Sequence, residues 1–296
     1  MNFPGAAVAL LAAALGFSAP IARAEAGNAA RGEFVFAAGN CTSCHTDLKN
    51  KGPLLAGGRP LQTPFGVFFG PNITRDPVHG IGRWSDDDFI RAMRKGLSPR
   101  GAHYFPVFPY PAFTGLTDRD LRDLKAYIFT LPPVPQPNKP HAVPFPFNLR
   151  LGAAAWKLLY FREGPMVPDP ERDAAWNRGR YLVEAAGHCA ECHTQRDRLG
   201  GLKRAMWMAG STDGAAGKPA SNITPDKATG IGSWKESDLV YFLEVGTLPD
   251  GDVASDLMAE VIRYGTGRLS AEDRKAIAAY LRTLKPVVNK IQKAAK

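Results

Sequence analysis

Cys41-Thr42-Ser43-Cys44-His45 and Cys189-Ala190-Glu191-Cys192-His193 are two copies of one pattern, and together they use all four cysteines and two of the six histidines of the chain. Two thiols three positions apart reach the two vinyl groups of a single haem, and the histidine that follows is placed to ligate its iron. Zinc would also take two Cys-x-x-Cys pairs, but it has no need of a histidine directly after each second cysteine. A thioredoxin-like site would need one pair on a βαβ frame, and neither copy sits in one. The motifs predict two covalent haem c groups, held by Cys41, Cys44, Cys189 and Cys192, with His45 and His193 as iron ligands.

The N-terminus agrees with haem attachment, which follows export. Ala6 to Phe17 is an apolar run, followed by Pro20 and by Ala22-Arg23-Ala24 before Glu25. Residues 1–24 read as a signal peptide, although the leading segment lacks Lys and Arg. The run is too short to span a bilayer. The predicted location is the periplasm, with a peripheral membrane association left open. Lys plus Arg exceeds Asp plus Glu by nine over the 296 residues, and removal of Arg23 leaves eight. This balance suits an acidic partner or an anionic membrane surface. Nucleic acid is a poor partner for an exported haem protein. The one basic cluster is Lys285, Lys290, Lys293 and Lys296.

Outward from the motifs, the chain repeats itself at an offset of about 150 residues. Asn72-Ile73-Thr74 matches Asn222-Ile223-Thr224, and Gly80-Ile81-Gly82-Arg83-Trp84 matches Gly230-Ile231-Gly232-Ser233-Trp234. Gly96, Pro99 and Gly101 match Gly246, Pro249 and Gly251. The repeat predicts two homologous domains, 25–131 and 166–296, with one haem each. Between them, 132–165 holds seven prolines from Pro132 to Pro146, which favour an extended, semi-rigid connector. Leu149 to Phe161 then reads as a helix or turn docked between the domains. Packing into the core is favoured for its apolar residues over a contact with a membrane or partner.

Both domains read as helical. Helices are predicted over 29–38, from Trp176 to Glu184, after the caps Ser85 and Thr117, and after Ser270. Leu121, Leu124, Ile128 and Leu131 form one apolar stripe, and Ile277, Leu281 and Leu284 another. No alternating strand pattern of useful length appears. The fold class is all-α. The order helix, haem motif, loop, helix, ligand loop, helix resembles the class I cytochrome c fold, repeated in tandem across the Pro-rich linker.

Domains of that type supply a methionine to the sixth iron position about 60 residues beyond the histidine. Met258 fills this place in the second domain, with Met206 and Met208 as rivals. Its counterpart in the first domain is Phe108, which has no lone pair. Haem 1 is therefore five-coordinate, water-bound or held by another residue. His103 is the best substitute, either ligating or serving as a hydrogen-bonding residue; Tyr104, Tyr110 and Met93 are weaker.

Gly57-Gly58-Arg59-Pro60-Leu61, Thr63-Pro64-Phe65-Gly66, Asn72-Ile73-Thr74 and Gly80-Ile81-Gly82 resemble the cytochrome c subunits of bacterial alcohol, gluconate and aldehyde dehydrogenases. The resemblance implies an electron-transfer protein that accepts electrons from a partner dehydrogenase's catalytic subunit and passes them to a downstream acceptor. It also implies propionate contacts for Asn72, Asn222 and Arg59, a Pro53 carbonyl accepting from His45 Nδ1–H, and pocket walls at Trp84 and Trp234. Two departures are the count of two haem motifs, where many such subunits have three, and Phe108 in place of a methionine. The alternative function is a haem enzyme, peroxidase-like or small-ligand-binding, with an open haem 1 and haem 2 as its electron donor.

Overall fold

The computed structural model describes residues 25–291, together with Met1. The rest of the expected leader, and Lys293 and Lys296 of the basic cluster, lie outside the described residues. Helix α1 (Ala29–Ala38) leads into one helical turn, α2 (Cys41–His45). A hairpin of β1 (Pro60–Thr63) and β2 (Gly66–Phe69) follows, then α3 (Asp86–Lys95), α4 (Tyr110–Phe113) and α5 (Asp118–Ile128). After α6 (Arg150–Tyr160), α7 (Ala174–Arg180) runs on into a π-helical turn over Tyr181–Ala186. Then come α8 (Ala190–His193), α9 (Glu236–Val245), α10 (Asp256–Tyr264) and α11 (Ala271–Leu281).

The architecture is mostly helical, and its helices begin where the caps predict. Ser85 Oγ accepts from Asp88 N, and the Asp88 carboxylate accepts from Ser85 N, which closes a capping box at the start of α3. Thr117 and Ser270 cap α5 and α11 in the same sense. The antiparallel hairpin corrects the all-α expectation. Its strands are four residues long, and in β1 one face is exposed and the other half-buried, too short a stretch for the alternation to register in sequence. Thr63 fixes the turn by donating to Gly66 O at 2.8 Å and accepting from Phe65 N at 3.2 Å.

In each half the first helix crosses the last. Gly32 of α1 lies so close to α5 that a Cβ there would sit 1.8 Å from Asp123 O. Gly179 of α7 stands the same way against α11, with Ala276 O at 1.9 Å. Leu121, Leu124 and Ile128 bury one crossing, and Ile277, Ala278 and Leu281 the other. Buried Asp123 ties the first crossing together, accepting from Arg31 at 2.6 and 3.0 Å and from Asn28 N at 2.6 Å.

The halves meet reciprocally. Gly39 packs toward Ala186 O and Gly187 toward Ala38 O. Asn40 (φ +47°) and His188 (φ +40°), each directly before the first cysteine of its motif, are both left-handed. His188 Nε2 lies 3.2 Å from Gly39 O, and its ring stands edge-on to Phe113 at 5.3 Å. Helix α4 packs on the π-helical turn, and α10 packs on α2.

The Pro-rich segment is strapped along the first half. Asn72 Nδ2 donates to Val134 O at 2.8 Å and Gln136 O at 3.0 Å; Asn72 N donates to Asn138 Oδ1 at 2.6 Å. Val67 and Ala142 exchange backbone hydrogen bonds of 2.9 and 2.8 Å. Helix α6 does reach both halves: Lys157 Nζ donates to Gly96 O at 2.9 Å, and Trp156 Nε1 to Leu199 O at 3.1 Å. Its leucines are not core, however. Leu151, Leu158 and Leu159 are 80, 88 and 68 % exposed, and Ala153 is the helix's buried residue. The inner face is satisfied by Lys157, Trp156 and Tyr160, which leaves the leucine stripe outward.

Candidate functional site

Each motif forms a helical turn, entered through the left-handed residue that reverses the chain after the preceding helix. Asn40 holds the first entry by accepting from Ser43 Oγ at 2.8 Å. No disulfide joins any of the four cysteines. Burial, and then the neighbouring thiol, pushes Cys41 and Cys189 each up to about 12. Neutral thiols of this kind are unlike a thioredoxin-type nucleophile. Among the described residues no group of three or more His, Cys, Asp or Glu could hold a metal ion, so the two pairs do not unite into a zinc site.

The imidazoles are fixed by backbone. His45 Nδ1 lies 2.8 Å from Pro71 O, and His193 Nδ1 lies 2.7 Å from Ser221 O. A carbonyl can only accept, so Nδ1 carries the proton and Nε2 presents its lone pair. Burial lowers both imidazoles below the usual histidine range, against the opposing pull of those carbonyls. Two neutral ligands with the correct tautomer, each beside two thiols on one turn, are the donor set a covalent haem requires. The acceptor differs from the expectation: it is Pro71, because Pro53 O closes a tight turn by accepting from Ala56 N at 3.2 Å.

Three further residues expected at the propionates have partners within the chain. Both Asn72 Nδ2 hydrogens are taken by Val134 and Gln136, and those of Asn222 by Thr229 Oγ1 at 3.0 Å and Val287 O at 2.8 Å. Each Oδ1 meanwhile accepts from Thr74 or Thr224. These amides lace the chain beyond each last helix. Arg59 spends its guanidinium on Glu260 of α10, at 2.7 and 3.1 Å. Trp84 and Trp234 are half-buried against the core, and Trp234 stands edge-on to Phe242 at 5.5 Å.

The two positions expected to face the sixth iron site are built differently. Met258 lies in the first turn of α10, half-buried. Its rival Met208 is wholly buried with φ +58°, and its backbone N donates to Thr194 Oγ1 at 3.0 Å. Leu55 repeats that arrangement in the first half, with φ +60° and a 3.0 Å bond to Thr46 Oγ1. Met208 is thus the counterpart of a core leucine. Phe108 is packed by Tyr104 at 5.7 Å, Phe113 at 5.9 Å and Tyr110 at 6.2 Å. Upstream in the same loop, His103 Nδ1 is buried with no hydrogen-bond partner, and its imidazole is held low by burial and then by Lys157.

Two residues escaped the sequence reading, Lys157 and His188. Tyr110 is wholly buried with its hydroxyl unpartnered, and Lys157 Nζ sits 4.8 Å from its ring centroid. His188 joins the halves. The signal for it was its alignment with Asn40, since Asn and His are among the side chains that tolerate a left-handed backbone.

The cytochrome c family model matches residues 29–132. A dihaem cytochrome c-type protein of Cereibacter sphaeroides is 44 % identical over 264 residues, 86 % of each chain. The fructose dehydrogenase cytochrome subunit of Gluconobacter japonicus is 39 % identical, over 86 % of this chain and 52 % of that one. The gluconate 2-dehydrogenase cytochrome c subunit of Pantoea cypripedii is 37 % identical, over 86 % and 59 %. The chain spans little more than half the length of these two dehydrogenase subunits.

Proposed function

Because this chain belongs to the dihaem c-type cytochromes, we propose that it is an exported electron carrier, taking electrons from a partner dehydrogenase and delivering them to a downstream acceptor. It carries two c-type haems, and these supply one-electron redox chemistry when bound. In this reading Cys41 and Cys44 hold haem 1, and Cys189 and Cys192 hold haem 2, in two cytochrome c domains. Pro71 and Ser221 orient His45 and His193. Met258 offers a thioether to haem 2, while Phe108 offers none to haem 1. Residues 1–24 direct export to the periplasm.

The observation that carries the proposal is the apposition of the two motifs across Gly39 and His188, which suits transfer between two centres. A thioether favours the ferrous state. Haem 1 is then the lower-potential centre, and electrons enter there and leave by haem 2. Potentiometric titration of the mature holoprotein tests this, with its mass. Two haem increments and two separated couples are expected. One increment, or two thioether-ligated centres, overturns it.

A second reading has one observation in its favour. The unpartnered His103 Nδ1 and the aromatic Phe108 mark the first half as differently built on its ligand side. That suits an enzyme binding a small molecule at haem 1. Carbon monoxide binding to the reduced protein, with peroxide turnover, would favour it over a carrier.

A further inference from the structure

Helix α10 carries Met258, and its own first turn does little to fix it. Ser255 makes no side-chain hydrogen bond at its start, and Asp256 enters it with φ +49°. The ion pair of Asp256 with Lys218 is long, at 3.8 Å, and exposed. Ile262 is the buried residue of the helix. An uncapped helix this short is marginal by itself.

The firmest polar tie comes from the other half. Arg59 donates to both carboxylate oxygens of Glu260, at 2.7 and 3.1 Å, and the two side chains are 17 and 28 % exposed. A forked, largely desolvated pair of this kind is stronger and more directional than a surface ion pair. Arg59 is itself anchored on the first motif. Its carbonyl accepts from Gly70 N at 3.0 Å, and Gly70 lies so close to α2 that a Cβ there would sit 1.9 Å from Cys44 O. Glu260 follows Met258 by two residues, and such residues lie about 200° apart around a helix axis. The fork therefore grips the side of α10 opposite Met258, and it fixes the rotation of the helix as well as its distance from the first half.

We propose that Arg59, a residue of the first half, is a positioning residue for the sixth ligand of haem 2: through Glu260 it sets the rotation of α10, and with it the reach of the Met258 thioether. The proposal rests on the reading that Met258 ligates that iron. Its test is displacement of the thioether by added imidazole in the ferric holoprotein, followed by the thioether-to-iron charge-transfer band. Arg59→Leu should lower the imidazole concentration at the midpoint at least about tenfold, the weight of one charge-assisted hydrogen bond. Glu260→Gln keeps the side chain's shape and should shift the midpoint the same way, with both haems attached by mass. Arg59→Lys keeps the charge without the fork and should fall between. Arg268→Gln breaks another bridge between the halves, to Glu33 at 3.3 Å and exposed at both ends, and should leave the midpoint in place. Unchanged midpoints in Arg59→Leu and Glu260→Gln would overturn the proposal. So would an equal shift in Arg268→Gln, which would give the effect to packing of the halves in general. A band that survives Met258→Ala would sink the ligand reading and the proposal together; a band lost there but indifferent to Arg59 would sink the proposal alone.

Discussion

Alanine at Gly32 or Gly179 tests the two helix crossings that frame the haem motifs. A Cβ at Gly32 would lie 1.8 Å from Asp123 O, 2.4 Å from its carbonyl carbon and 2.9 Å from Tyr127 Cβ. At Gly179 the same atoms of Ala276 lie at 1.9 and 2.6 Å, and Tyr280 Cβ at 2.8 Å. The obstructing atoms are mostly backbone, so no rotamer change relieves them. Each helix pair must part by about 1.5 Å in a core packed to crystal density. Overpacking of this kind costs about 3 kcal/mol or more. At about 2–4 °C per kcal/mol for a chain of this size, the melting temperature falls by about 6–12 °C. Gly152 is the control: a Cβ there meets nothing within 4 Å, and alanine in the first turn of α6 should stabilise by up to about 1 kcal/mol. Differential scanning calorimetry of the three holoproteins decides the matter. Gly32→Ala and Gly179→Ala melting within about 2 °C of wild type would mean the crossings are not this close, and the placement of both motifs would lose its frame.

Asp123 gives a pH dependence of known sign. Burial alone would raise its carboxyl, but the hydrogen bonds from Arg31 and Asn28 outweigh that and hold it below the usual range. Its stabilisation is therefore present above the unfolded value near ~3.9 and is lost as pH falls through the lower folded value. Asp123→Asn should cost about 1–3 kcal/mol at neutral pH and flatten the melting curve's acid limb; an unchanged limb would refute the assignment. Phe108→Met should move haem 1 toward thioether ligation and raise its potential by on the order of 100 mV, a fraction of the ~0.8 V axial ligands span, as read by potentiometry. Met258→Ala should remove the thioether-to-iron charge-transfer band and lower one potential alone; a retained band would point to Met206 or Met208.

What could be read from the chain was what is local. The caps Ser85, Thr117 and Ser270 act within three residues, and the haem motifs within five, so residue type at fixed spacing states the outcome. The His45 partner is a backbone carbonyl, and every residue has one; nothing in the sequence distinguishes Pro71 from Pro53. The amides of Asn72 and Asn222 were conspicuous as a repeated motif, yet their backbone partners Val134 and Val287 lie more than 60 residues away in sequence. Helix α6 shows the limit of periodicity. The stripe was visible, but a stripe does not say whether the rest of the chain covers it.

The strap formed by residues 134–142 bears on the kinetics. Pinned by Asn72, Thr74 and Val67, this stretch belongs mechanically to the first half, which leaves the two halves no slack tether on which to swing. Exchange between the centres then needs no conformational search. Its rate should follow separation and driving force alone, and should be the same in buffer and in buffer thickened with glycerol.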